Sequence, residues 1–268
     1  MTRRRFALGL AVAPWLRGEA VSQERGKELV AKIVDALGGD VFRNMQTRTE
    51  IGRAYSFYRQ EITGLAVARI YVKYLPRDAQ IPKDGVRLVE REVFGKKLED
   101  AVIFTKKGEA YDVTYRGARP LADSRIKQFR DTTVQDIFYI LRQRMDEPGI
   151  GFESRGSDII ENQPVQILGV FDSQNRDVTV WVNSDSFLPI RQRFYRWDPV
   201  INDRREEITR YAKYRDVGNR VMWPYDVQRE RDGEKVYEMY AEKVTVGDPL
   251  AGSLFELPTG AKILKKMS

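Results

Sequence analysis

Between Asp177 and Trp197 apolar and polar residues trade places at every second position. Val178, Val180 and Val182 alternate with Asp177, Thr179, Trp181 and Asn183, which predicts a strand whose two faces see different surroundings. Asn183, Ser184, Asp185 and Ser186 supply a turn, because short polar side chains hydrogen-bond their own backbone. Pro189 opens the return strand, where a missing N–H is tolerated. That strand sets Ile190 and Phe194 against Arg191, Arg193 and Tyr195. The whole reads as a long antiparallel hairpin with one apolar face.

The same period recurs along most of the chain. Tyr55 and Phe57 share a face of a first strand. Residues 65–75 return from it across Thr63–Gly64, with Ala66, Ala68, Ile70, Val72 and Tyr74 on one side and Arg69 and Lys73 on the other. Residues 86–94, 101–106 and 109–115 continue the meander, with a turn at Lys107–Gly108. After residue 150 the strands are 151–161, 165–171, the hairpin above, 206–216, 220–229 and 235–246, and Asp232–Gly233 is a strong hairpin signal. Roughly ten or eleven strands are expected, in one domain, with no linker, repeat or low-complexity segment.

Two stretches change to the helical period. Val30, Ile33, Val34 and Leu37 form one stripe over residues 22–37, with Ser22 placed to cap the start and Gly38–Gly39 to end it in a left-handed turn. Residues 117–130 read as irregular. A second helix is then expected from Thr132, with Gln135 completing a capping box. Its stripe is Val134, Ile137, Phe138, Leu141 and Met145, stopped at Pro148–Gly149.

Composition adds to this picture at the N-terminus. Arg3, Arg4 and Arg5 precede a short apolar run over residues 7–16, and Gly18–Glu19–Ala20 ends in a small residue, the order of an export signal. Thr2–Phe6 resembles the twin-arginine type. Residues 1–20 are read as that signal and 21–268 as the mature domain, expected in the periplasm. Four Arg and one Glu leave with the signal, so the net charge of +7 becomes +4. Such a mild surplus does not call for nucleic acid. With 42% hydrophobic and 32% charged residues the mature chain is expected to be soluble and to fill a core without disulfides, having no Cys.

The chain has no His and no Cys, which excludes Ser-His-Asp and thiol catalysis and the usual zinc sites. No phosphate-binding glycine loop is present. Glu90 with Glu92, and Glu206 with Glu207, stand among Arg and Lys, so a solvated strand face with cross-strand ion pairs is the plain reading. No catalytic residue, metal or cofactor is expected.

A broad sheet with one apolar face has to cover something. Two helices of about four turns do not fill the concave side of such a sheet, given the ~10 Å layer in which these elements pack. The remainder would be an apolar cavity suited to a hydrophobic ligand.

Four segments, in order, resemble a known family. Val34–Asp35–Ala36–Leu37–Gly38–Gly39 closes the first helix. Val178–Thr179–Val180–Trp181–Val182–Asn183 leads to Phe187–Leu188–Pro189–Ile190–Arg191. Asp216–Val217–Gly218–Asn219–Arg220–Val221–Met222–Trp223–Pro224 makes a later hairpin, and Ser253–Leu254–Phe255–Glu256–Leu257–Pro258 stands near the end. Together they resemble the LolA-like class of outer-membrane lipoprotein-sorting proteins, although Ser186–Phe187 replaces the usual Thr-Gly of the hairpin turn. The resemblance implies a mainly β (α+β) fold: a curved antiparallel sheet forming an incomplete β-barrel, two amphipathic helices covering its concave face, and an interior for acyl chains. On it Ile70, Val72, Tyr74, Ile137, Phe138, Leu141, Trp181, Phe194 and Trp223 line or border the pocket, and each also fits a plain core position. The family's charged residue inside the cavity has no matching position here. The implied partners are lipid or lipoprotein acyl chains and membrane delivery or acceptor proteins, with the protein a monomer. The alternative is an envelope sensor or adaptor that grips a protein partner through the same fold.

Overall fold

The two-residue period produces what it predicts, a single sheet built almost wholly of hairpins. The computed structural model describes residues 14–82, 85–95, 100–198 and 201–266. The strands are β1 (Thr47–Tyr58), β2 (Glu61–Tyr74), β3 (Leu88–Phe94), β4 (Ala101–Phe104), β5 (Ala110–Thr114), β6 (Gly117–Pro120), β7 (Gly151–Ile160), β8 (Gln163–Phe171), β9 (Asp177–Asn183), β10 (Pro189–Asp198), β11 (Asp203–Asp216), β12 (Met222–Arg231) and β13 (Glu234–Val246). All thirteen join one sheet in the order β6-β5-β4-β3-β2-β1-β13-β12-β11-β10-β9-β8-β7. Every strand pair is antiparallel, and β6 and β7 form the two ends, so the curved sheet stays an unclosed barrel.

Several turns sit where the sequence places them. Asp232 and Gly233 both have positive φ, the signature of a two-residue hairpin that follows strand twist. The first hairpin instead turns at Arg59–Gln60 (φ 50° and 64°), not at Thr63–Gly64, and Gly64 lies inside β2.

The first helix, α1 (Pro14–Ala36), starts before the expected Ser22 and runs through Gly18–Ala20. The charged start of the proposed signal and residues 7–13 of its apolar run lie outside the described residues. Ser22 makes no cap there; its hydroxyl donates to Ser154 O in β7. Of the expected stripe Val30, Ile33 and Leu37 are buried and Val34 is partly buried against the same cluster, which Leu29 joins. Gly26 sets the approach to β7, since a Cβ there would lie 2.6 Å from backbone atoms of Phe152 and Glu153. Gly38 (φ 120°) ends the segment, against the backbone of Arg220 and Val221, and Met222 N donates to Leu37 O (3.1 Å). A short helix, α2 (Gly39–Asn44), follows and buries Phe42.

The second helix differs from expectation. Residues 123–134, read as mostly irregular, form α3 (Asp123–Val134), so Thr132 lies in a last turn and caps nothing. Its hydroxyl donates back to the carbonyls of Gln128 and Phe129. Asp136 is the cap instead, accepting from Tyr139 N at 3.1 Å, and α4 (Ile137–Tyr139) passes into a π-helical turn (Ile140–Arg144). Two rods at an angle thus replace one.

The outer face of β3–β6 carries a further layer. The segment after β13 lays Leu257 and Ala261 against Val93, Ala101, Ile103, Val113 and Ala118, and pairs with β6 through Ala118 and Ile263. This has a consequence for β3. Its valines Val89 and Val93 are buried on the outer side, so Glu90 and Glu92 fall on the concave side, not on a solvated face with ion pairs.

Candidate functional site

The concave face is divided between an apolar plug and a charged region. Asp136 and Gln192 fix the plug: Gln192 is buried and its side-chain oxygen accepts from Ile137 N at 2.8 Å. Arg142 donates twice to Met45 O (2.8 and 2.5 Å) and lies 4.3 Å over the Tyr74 ring. Burial with Arg77 and Arg43 nearby drives its pKa down to about 10, against the pull of Tyr74. Arg144 joins Val134 O to Asp172 and Glu147. These polar side chains satisfy the open N–H groups at the start of α4 and the carbonyls at the ends of α2 and α3.

The plug brings together most of the residues expected at the pocket. Val72, Tyr74, Ile137, Phe138, Leu141, Phe194 and Trp223 belong to one packed cluster, with Ile70 at its margin. Phe138 meets Tyr211 edge-on at 5.0 Å and Trp223 at 4.7 Å. The recess expected between helix and sheet is therefore filled by the protein's own side chains here. Trp181 belongs elsewhere. Val178, Val180 and Val182 point inward, so period two turns Trp181 to the outer face. It is only 8% exposed because the guanidiniums of Arg191 and Arg193 cover its ring at 4.7 and 5.4 Å.

Beside the plug the strand register aligns Arg48 with Val72 and Glu90, and Glu50 with Ile70 and Glu92. Arg48 pairs with Glu50 (2.7 Å), donates to Tyr74 Oη (2.8 Å) and lies 4.4 Å over Trp223. Burial opposes its charge, but Tyr74 and Glu50 outweigh it and hold the pKa up. Glu90 is pushed well above the ordinary carboxylate range, first by burial and then by the charge and hydrogen bond of Glu92. Burial also raises Asp136, against its hydrogen bond from Tyr139 N. Here the interior is ionic. The alternation that marked strands did not reveal which face the acids would take.

An open space lies at the β6 end of the unclosed sheet. An open groove of about 1000 Å³ runs between α3, the β5–β6 end of the sheet and the turn after β8. Its apolar wall is Ala110, Pro120, Leu121, Ile126 and Val134, and Val134 belongs to the central cluster, so the groove reaches the plug. Basic Lys127, Arg130, Arg176 and Lys266 stand along it with Glu109, Asp123 and Asp131. Phe129 anchors α3 by stacking on Phe104, centroids 3.6 Å apart and planes 9° from parallel, and Arg130 donates to Gly108 O at 2.8 Å. None of the nine residues expected at the pocket lines this groove. Ile126, Phe129 and Val134 are the signal that could have found it, three apolar residues in a charge-rich run.

The curved, unclosed antiparallel sheet gives the chain a LolA-like fold. A putative outer-membrane lipoprotein-sorting domain from Vibrio parahaemolyticus superposes with a TM-score of 0.57 at 12% identity, covering 87% of this chain and 97% of its own. A DUF1329 family protein from Desulfovibrio piger gives 0.58 at 12% identity, covering 88% and 97%. No family model matches the sequence. No curated protein matches it either. Among the described residues no helix is long and apolar enough to cross a membrane.

Proposed function

We propose that the protein is a periplasmic carrier or binding protein for lipid or the acyl chains of lipoproteins, exported by residues 1–20 and acting as one domain over 21–268. The observation that carries this reading is the groove at the seam, about 1000 Å³, with an apolar wall continuous with the plug. Each methylene that leaves water for such a wall contributes ~0.8 kcal/mol, so a partly enclosed chain is held firmly and still released. Ile137, Phe138 and Leu141 would meet the tail as it pushes past Val134, while Ile70, Val72, Tyr74, Phe194 and Trp223 back them from the sheet. The sorting function of the Vibrio domain's name agrees with this assignment. Catalysis and metal binding form no part of it.

Native mass spectrometry of protein drawn from producing cells tests the reading. Lipid adducts on the wild type that vanish in Ile126→Asp support it. A bare wild type that also ignores a fluorescent fatty acid ends it. A second reading, a sensor or adaptor for a protein partner, is favoured by the exposed Tyr58, Ile62, Leu65 and Val67 of the first hairpin. Partner capture lost on Leu65→Ser, with lipid loading unchanged, would give that reading precedence.

A further inference from the structure

The groove's charged rim bears on the chemistry of the ligand's other end. Three of its four basic side chains are already matched to carboxylates. Lys127 pairs with Asp131 (2.5 Å), Lys266 with Asp123 (2.7 Å) and Arg176 with Asp172 (2.6 Å). Arg130 is different. The residue is half-buried, its guanidinium donates one hydrogen bond to the neutral Gly108 carbonyl, and among the described residues it has no ion-paired carboxylate. It lies on α3 one turn after Ile126, so the cation and the apolar wall are on neighbouring turns of the same helix. It also borders a small crevice on the other side, with Phe104, Ile126, Phe129 and Leu88.

An arginine that keeps unused N–H donors beside an apolar wall fits one ligand chemistry. A planar guanidinium matches carboxylate or phosphate oxygens, and a charge-assisted hydrogen bond in a partly dry setting is stronger than a neutral one. Glu109 and Asp131 also line the groove, and their charge disfavours a second negative charge on the ligand, so a single anionic group is the expected fit. Resting on the carrier reading, we propose that the groove selects amphiphiles with one anionic head, a carboxylate or a phosphate, and that Arg130 receives the head while Leu121, Ile126 and Val134 receive the start of the tail. Arg130 thereby sets specificity, and the apolar wall sets most of the affinity.

Displacement of a fluorescent fatty acid from the whole protein separates these roles. The competitors are palmitate, its methyl ester with the same tail and no charge, and dipalmitoyl phosphatidic acid. On the wild type, palmitate or phosphatidic acid is expected to compete at concentrations about tenfold lower than the ester, and which of the two does so identifies the head. In Arg130→Gln, with the circular dichroism spectrum unchanged, that advantage is expected to disappear, while the ester's inhibition constant, corrected for the weaker binding of the fluorescent acid, stays the same. Equal competition by all three on the wild type, or an advantage that survives in Arg130→Gln, overturns the head-group proposal and leaves the carrier reading standing. If neither the fluorescent acid nor any competitor binds the wild type, both fall.

Discussion

Gly26→Ala sets a local preference against a tertiary one, and the two have opposite signs. Gly26 lies inside α1, where Ala is better than Gly by about 0.8–1 kcal/mol in helix propensity. An isolated helix would gain from the change. In the folded protein the new Cβ would stand 2.6 Å from Glu153 Cα, Glu153 N and Phe152 C, where ordinary contact begins at 3.4 Å. All three are backbone atoms of β7, so no rotamer relieves the clash, and the helix must move away by several tenths of an ångström. Overpacking of this kind costs about 1–3 kcal/mol. The motion also loosens the burial of Leu29, Val30 and Ile33. Set against the propensity gain this leaves a destabilisation of roughly 0–2 kcal/mol, and the lost burial moves it to the upper half of that range. Urea unfolding followed by tryptophan fluorescence measures it as a lowered midpoint with an unchanged slope. A midpoint equal to or above that of the wild type would refute the close docking of α1 on β7.

Other perturbations probe the plug, the outer face and the acid pair. Phe138→Ala should cost about 3–5 kcal/mol of unfolding free energy by leaving a cavity beside Tyr211 and Trp223, and a cost below 1 kcal/mol would mean that Phe138 is not packed there. Trp181→Ala should destabilise the protein yet leave fatty-acid affinity within about twofold (roughly 0.4 kcal/mol), because the ring lies outside the sheet; a large loss of affinity would return it to the pocket. Glu90 has a folded pKa raised well above its ordinary 4.5, so the folded state holds a proton that the unfolded chain has released. Its contribution to stability is full below 4.5 and is lost as pH rises through the folded value. Glu90→Gln should therefore gain on the wild type as pH increases from 5 to 8 in urea unfolding, and an unchanged difference across that range would contradict the assignment.

The parts of the fold that were legible are those decided by local chemistry. Val178, Val180 and Val182 announce both a strand and its inner face, Asp232–Gly233 its turn, and Gly38–Gly39 the left-handed exit from a helix. What was not legible depends on distant partners. The family resemblance puts Trp181 at the pocket, yet strand parity and two arginines from β10 place it on the outer face. The flanking Arg and Lys suit a solvated face for Glu90 and Glu92, but a segment some 160 residues later covers Val93 beside them and turns the acids to the concave side. α3 has too few apolar residues to declare a period, and it is held by Phe104 and Gly108 across a turn of the sheet. The same division runs through the concave face: its apolar cluster is readable in the sequence, whereas the groove depends on α3.

On the carrier reading hydrocarbon enters by the groove, alongside α3. A photoactivatable fatty acid bound to the whole protein, irradiated and mapped by peptide mass spectrometry, reads that position directly. The account predicts adducts on residues 121–134 and on β5–β6, competed away by unlabelled ligand. Competable adducts confined to the outer face around Trp181, or none at all at saturating probe, would contradict it.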